Sequence, residues 1–304
     1  MANIVGIGAN VYDTLITLPT YPDEDTKMRA KAVKVSGGGP CATGLVAASK
    51  LGTDAAFIGT VSNDSASSYL LEDFKRYGVS AEYIDVKGGY NAFSSYIWLC
   101  EDSATRTCVF DKGNIPPLKL SEKQAQAIRE AEILMVDGND MEAAVEGAKI
   151  ANESGTKVLY DAGGLYEGVE KLLPYSDILI PSEEFALGHT KAESAESAAR
   201  ILYERYNPEV VVITRGKNGG IMYDGKEITP YSAYLVDAVD SNGSGDVFHG
   251  AFAFAITQNM EYNKACKFSS AVSALKCTKL GAREGAPTYN EVMDFLKERG
   301  IDEL

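Results

Sequence analysis

Near the C-terminal end of the chain, Asp240-Ser241-Asn242-Gly243-Ser244-Gly245-Asp246 runs directly into the small, apolar stretch Val247-Phe248-His249-Gly250-Ala251-Phe252-Ala253. Flexible glycines lead into a helix, and a carboxylate lies just inside its first turn. Gly243, Ser244 and Gly245 can offer backbone N–H groups that no intrahelical carbonyl claims, and the helix dipole adds positive potential there. A transferring phosphoryl group needs such donors for its developing charge, and an attacking hydroxyl needs a base beside it. Asp246 is placed to be that base. The same residues also fit a plain loop and helix start, with Asp246 only answering the dipole.

A second glycine cluster lies toward the N-terminus, in Ser36-Gly37-Gly38-Gly39-Pro40-Cys41-Ala42-Thr43-Gly44, and the small residues continue to Gly52. Three glycines let a ligand approach the backbone closely, Pro40 suits a first helical turn, and Gly52 suits its end.

The two segments together resemble the two signatures of the ribokinase (PfkB) family of carbohydrate and nucleoside kinases. The resemblance runs over essentially the whole chain. It takes in the opening strand before Asp13, Phe57-Ile58-Gly59-Thr60-Val61-Ser62-Asn63-Asp64, Thr214-Arg215-Gly216 and Gly281-Ala282-Arg283-Glu284-Gly285. Tyr21-Pro22-Asp23-Glu24-Asp25 and Gly245-Asp246-Val247-Phe248-His249-Gly250 look most like the ketohexokinase and sulfofructose kinase branch.

The resemblance implies an ATP-dependent sugar kinase acting on a ketose such as fructose or a relative. It implies Asp246 as base, with Gly243, Ser244 and Gly245 around the γ-phosphoryl group. Asp13, Asp25, Gly38, Gly39, Thr43 and the lid arginine Arg106 would bind the sugar. Thr214, Gly216, Ala274, Cys277 and Gly281 would bind ATP. Glu183 would govern Mg2+ through water, since Ser182-Glu183-Glu184 stands where the family has Asn-x-x-Glu. Asp240 and Asn242 fall where the family binds a monovalent cation such as K+, with the 281–285 loop closing that site. Gly138 and Asn139 stand where sulfofructose kinases place an arginine, which argues against a sulfonated sugar. A nucleoside kinase of the same family and a non-catalytic sugar-binding regulator are the alternatives.

These residues need a scaffold. Apolar runs at 133–137, 157–161, 178–181 and 210–214 read as buried parallel strands, separated by helical stretches at 141–154, 165–173 and 192–206. Such alternation predicts an open α/β sheet flanked by helices, with ligands gathered at the carboxyl ends of its strands. Two regions break the rhythm with short alternating stretches, at 12–35 and 92–110. The resemblance makes the chain one kinase domain, residues 1–304, with a small antiparallel β lid from about residues 14–36 and 92–112, through which many members dimerise.

The net charge of −14 argues against a nucleic-acid or anionic-membrane surface, since both call for clustered Lys and Arg. The five cysteines are odd in number and scattered, which predicts reduced thiols and no zinc site. No basic leader with an apolar core and no run of about twenty apolar residues is present, so a cytoplasmic chain is expected. A dinucleotide-binding fold is disfavoured, because Gly6-Ile7-Gly8 lacks the third glycine.

Overall fold

The computed structural model describes residues 2–103 and 105–301; Ala104 of the expected lid, and Met1 and residues 302–304 of the expected domain, lie outside them. Thirteen strands form among the described residues: β1 (Ile4–Ile7), β2 (Val11–Leu18), β3 (Ala32–Gly38), β4 (Ala55–Val61), β5 (Ser80–Val86), β6 (Ser94–Cys100), β7 (Thr105–Asp111), β8 (Ile133–Val136), β9 (Lys157–Ala162), β10 (Ile178–Pro181), β11 (Val210–Thr214), β12 (Gly220–Tyr223) and β13 (Ile228–Tyr231). Nine make one sheet, in the order β13-β12-β11-β10-β9-β8-β1-β4-β5. Its strands run parallel from β5 to β11, and β12 and β13 close one edge antiparallel.

The apolar runs make this sheet because both faces are covered. Met135, Leu159, Ile180 and Val212 point to one core with the Pro40–Leu51, Ser244–Thr257 and Tyr262–Cys277 helices. Their chain neighbours Leu134, Val158, Leu179 and Val211 point to the other, against the Glu122–Glu130, Met141–Ser154 and Ala195–Tyr206 helices. Of the expected helices, 141–154 forms as predicted. That at 165–173 is confined to Val169–Leu172, because left-handed Gly168 starts it late and Pro174 ends it in a 3-10 turn. The 192–206 stretch begins at Ala195, where Ser194 caps it.

The chain leaves β1 toward β4 and β5, then returns to β8 on β1's other side. The strand order therefore reverses between β1 and β8, and the crevice beyond their carboxyl ends is where such sheets bind ligands.

The remaining four strands form the expected small sheet, in the order β3-β2-β6-β7. Both outer pairs are antiparallel, and the central pair, β2 with β6, runs parallel. Register places Asp13, Ser95 and Phe110 side by side on one face, which Leu99 and Arg106 share. Thr14, Tyr96 and Val109 occupy the other face.

Candidate active site

The two glycine-led helices cross at contact distance. A Cβ on Gly250 would lie 2.0 Å from the Gly44 carbonyl oxygen, and one on Gly44 would lie 2.7 Å from Met135 Cε and 3.2 Å from the Asp246 carbonyl oxygen. Small residues on both helices thus do a single job, bringing two helix N-termini together at the switch point.

At the first N-terminus, Gly39 adopts φ 91°, and a Cβ there would meet the Ala9 carbonyl oxygen at 2.4 Å. Asp137, just past β8, is buried and ties this corner together. Its Oδ2 accepts from the Ala9 N–H at 2.8 Å and the Cys41 N–H at 3.0 Å, and its Oδ1 accepts from the Asn139 N–H at 2.9 Å. Asp13 is buried alongside, accepting from Ser95 Oγ at 2.6 Å, and a Cβ on Gly38 would sit 1.9 Å from its Oδ2. Burial lifts the Asp13 pKa to about 6, against the Ser95 hydrogen bond and the Arg283 charge, which lower it.

Arg283 holds this loop from below. It is fully buried, donating to Asp73 Oδ2 (2.7 Å), Asn10 Oδ1 (2.7 Å) and the Gly38 carbonyl oxygen (2.6 Å), with Phe74 under its plane. A Cβ on Gly37 would meet its Nη1 at 2.2 Å, so only glycine lets the guanidinium in.

At the second N-terminus, Gly243 (φ 75°) opens the Ser244–Thr257 helix and Asp246 lies half-buried in its first turn. The Ser244 N–H is donated to the Ser241 carbonyl oxygen at 3.2 Å, so of the expected three donors only Gly243 and Gly245 are left to offer an N–H to an anion. Above Gly245 the space is open, since a Cβ there would meet nothing within 4 Å. Burial first, then the neighbouring carboxylates Asp161 and Asp137, raise the Asp246 pKa to about 7, opposed by His249 and Arg106. His249 is buried, with Nδ1 2.6 Å from the Gly245 carbonyl oxygen and 3.2 Å from Asp161 Oδ2, and Nε2 3.1 Å from the Ile180 carbonyl oxygen. Burial pushes its pKa down, and the Ile180 carbonyl, Asp246 and the Gly245 carbonyl pull it back. Burial and Asp137 hold the Asp161 pKa well above the usual carboxylate range.

Beside this turn opens a cavity of about 320 Å³ lined by Thr214, Gly216, Ser244, Gly245, Ala274 and Cys277, with apolar wall from Leu235, Val236 and Phe248. Four of the five expected ATP residues therefore meet there. Gly281 stands apart, its N–H donated to Asp240 Oδ2 at 2.8 Å.

Other expected residues are placed differently. Asp25 is exposed on the loop between β2 and β3, with φ 57°. Thr43 is fully buried between the crossing helices, and its hydroxyl has no partner among the described residues. Glu183 Oε1 pairs with Arg215 Nε at 2.8 Å. The side chain of Asn242 turns to the lid and accepts from Arg106 Nη1. The oxygens of Asp240 converge on the buried Lys276 ammonium, which donates to the Asp240 carbonyl oxygen at 2.7 Å and lies 3.5 Å from its Oδ2. Reading the sequence missed Asp137, Asp161, His249, Lys276 and Arg283. The position of Asp161 at the carboxyl end of a predicted strand was the available signal for it.

A family model for the pfkB family carbohydrate kinases matches residues 1–289. This chain belongs to that family. As a carbohydrate kinase it is a phosphotransferase with an alcohol group as acceptor. It is 26% identical over 298 residues to a ribokinase of Haemophilus influenzae, covering 96% of this chain and 97% of the relative. It is 27% identical over 295 residues to a 5-dehydro-2-deoxygluconokinase of Clostridium botulinum, covering 88% and 85%. The Arabidopsis thaliana ribokinase complexed with ribose and ATP superposes with a TM-score of 0.87 at 22% identity, covering 97% of this kinase and 99% of the plant chain, and so shares its fold. These names attach to the family as a whole and not to the ketohexokinase branch. Among the described residues, no helix is long and apolar enough to cross a membrane.

Proposed function

We propose that this kinase transfers the γ-phosphoryl group of ATP to a hydroxyl of a free, unphosphorylated small sugar, as one domain over residues 1–304 with its lid at about 14–36 and 92–112. The observation that carries this reading is the position of Asp246. It lies in the first turn of the helix whose Ser244 and Gly245 line the Thr214–Cys277 cavity, and its carbonyl oxygen would be 3.2 Å from a Cβ on Gly44, in the helix that Gly38 and Gly39 lead into. ATP would lie in the cavity, its base against Leu235, Val236, Ala274 and Cys277, and its phosphates at Gly216, Gly243 and Gly245. The sugar would lie over Gly38 and Gly39, with Asp13 accepting from its hydroxyls and Arg106 covering it.

Ionised Asp246 takes the proton from the attacking hydroxyl as the new O–P bond forms and the bond to the leaving ADP oxygen breaks. The Gly243 and Gly245 N–H groups face the charge on the transferring group, each contributing about 2.7–4 kcal/mol by the cost of losing one such donor. Glu183 or Glu184, at the start of the Glu183–Thr190 helix, would hold Mg2+ through water, and the ion would supply positive charge to the phosphates.

Charge favours a neutral sugar. Asp13, Asp137 and Asp246 bring carboxylates to the reacting centre, while Lys27 and Arg29 lie exposed on the lid loop and Arg106 is engaged by Asn242. A sugar phosphate would enter against that field. Ribose and a ketose such as fructose are the candidates. A nucleoside is the second reading, carried by Phe93 and Phe110, whose rings lie 5.8 Å apart where a flat base could stack. The outward lid face exposes Val33, Tyr96 and Val109, which fits a homodimer through the lid in the cytoplasm.

The test is ADP release with Mg-ATP over a panel of ribose, fructose, 5-dehydro-2-deoxygluconate, ribose 1-phosphate and adenosine. A free sugar is expected to give the highest kcat/KM. Preference for the phosphate ester or the nucleoside overturns the reading, and sugar binding without turnover of any acceptor points to a regulator.

A further inference from the structure

The place where a monovalent cation was expected holds a side chain instead. Lys276 is fully buried near the end of the Tyr262–Cys277 helix. A buried lysine needs partners, and those given to its ammonium are both oxygens of one residue: the carbonyl of Asp240 at 2.7 Å and Asp240 Oδ2 at 3.5 Å. A main-chain carbonyl and a carboxylate are what an alkali-metal ion would take.

Asp240 is also the knot of the loop that carries the anion-facing donors. Its Oδ1 accepts from the Asn242 N–H and its Oδ2 from the Gly281 N–H, both at 2.8 Å, and its own N–H is donated to the Cys277 carbonyl oxygen at 3.0 Å. The short Ala282–Gly285 helix packs over the lysine. A Cβ on Gly285 would lie 3.3 Å from Lys276 Cε and 3.2 Å from the carbonyl oxygens of Lys276 and Lys279. The ammonium therefore already occupies the place beside the Asp240 oxygens, and a second cation there would meet it as a like charge.

We propose that the Lys276 ammonium is a tethered substitute for a monovalent cation, positioning the 240–243 loop for phosphoryl transfer, so that this kinase works without K+ or Na+. The inference rests on the kinase reading above for its catalytic consequence and not for its structural one. Lys276 touches neither ATP nor sugar; it acts through Asp240. An ion bound from solution has to be captured, whereas an ammonium on the chain is always present.

The experiment compares equal ionic strengths of KCl, NaCl and choline chloride. Wild-type turnover and melting temperature are expected to be the same in all three, and K+ stimulation of the wild type overturns the proposal. Lys276→Ala empties the cage. In choline its kcat is expected to fall about 10²-fold, as a loop displaced by an ångström would cause, with the sugar KM little changed. KCl is expected to restore most of that loss and to raise the melting temperature of the variant alone. Full activity of Lys276→Ala in choline overturns the proposal, as does a folded variant that K+ does not rescue. Lys276→Met, which fills the space without charge, is expected to be slow in every salt. The melting arms need no catalysis. If no acceptor is phosphorylated by any form, the kinase reading fails while the melting comparison still decides the place of Lys276. If neither variant folds, the wild-type comparison decides alone.

Discussion

Arg106 on the small sheet and Asn242 just before the Ser244–Thr257 helix are joined by a hydrogen bond, guanidinium to amide oxygen. The small sheet and the turn that opens this helix are thereby connected, beside the place proposed for the sugar. Arg106→Ala is expected to raise the sugar KM by about tenfold while leaving the melting temperature unchanged, since the arginine is exposed. An unaltered KM would remove the lid arginine from sugar binding.

Asp246→Asn is nearly isosteric and removes no packing. General-base assistance is typically worth 10²–10⁴-fold, so kcat is expected to drop by about that factor. ATP affinity should hold or improve, because a carboxylate facing the triphosphate is gone. A carboxylate that merely caps the helix predicts a loss of at most about 1 kcal/mol of stability and little change in rate. Measuring kcat and melting temperature together separates the two roles, and turnover close to wild type would end the assignment.

The pH dependence follows from the same environment. Asp246 must be ionised to accept a proton, and burial with two neighbouring carboxylates raises its pKa to about 7. The kcat/KM profile is expected to climb through an apparent pKa near that value and to fall off below it. Stability runs the other way. The Asp13 pKa rises on folding from 3.8 to about 6, so its stabilising contribution is complete below 3.8 and lost as pH rises through about 6. Asp13→Asn keeps an oxygen for Ser95 and is expected to gain stability over wild type as pH rises, on the order of 2–3 kcal/mol when the change is complete. Denaturant titrations at pH 4 and pH 8 would show it, and equal differences at the two values would count against it.

How much of this was legible beforehand depends on distance along the chain. The two glycine-led helix starts, the four central strands and the lid segments are local patterns, readable from spacing and residue type. Arg283, Lys276 and His249 were not. Each is a polar residue inside or beside a small apolar stretch, which ordinarily reads as a solvated side chain, and each finds its partners 36 to 273 residues away, apart from the His249 contact to Gly245. Asp25 and Thr43 lie at opposite extremes of exposure, which their neighbours in sequence do not signal. The first lies exposed in an acidic run whose backbone makes no strand, and the second is swallowed by a helix crossing that only the pairing of Gly44 with Gly250 reveals.

Glu183 pairs with Arg215, and the metal dependence should tell the two apart. Glu183→Gln is expected to raise the Mg2+ concentration for half-maximal rate several-fold, whereas Arg215→Ala, which frees the carboxylate, should not. An unchanged Mg2+ requirement in Glu183→Gln would shift the role to Glu184.

Arg283→Met leaves buried Asp73 with only the longer contact to the half-exposed Arg76, at 3.4 Å, and breaking a buried pair typically costs about 3–5 kcal/mol. The double variant Asp73→Asn, Arg283→Met is expected to recover part of that loss, because the stranded charge is gone. Chemical denaturation of the three forms measures the coupling, and strict additivity would contradict the pairing.

That same arginine sets an order of events during synthesis. It sits 210 residues downstream of Asp73 and 245 downstream of Gly38, close to the end of the chain. A ribosome will have delivered the whole first half of the crevice long before the side chain that holds it together leaves the exit tunnel. Until then, Asp73, Asn10 and the three consecutive glycines lack their common anchor. The nascent kinase therefore carries an unfinished corner while more than two hundred residues are added, and a chain cut just before Arg283 would keep all thirteen described strands yet lack the guanidinium that fastens Gly38 to Asp73.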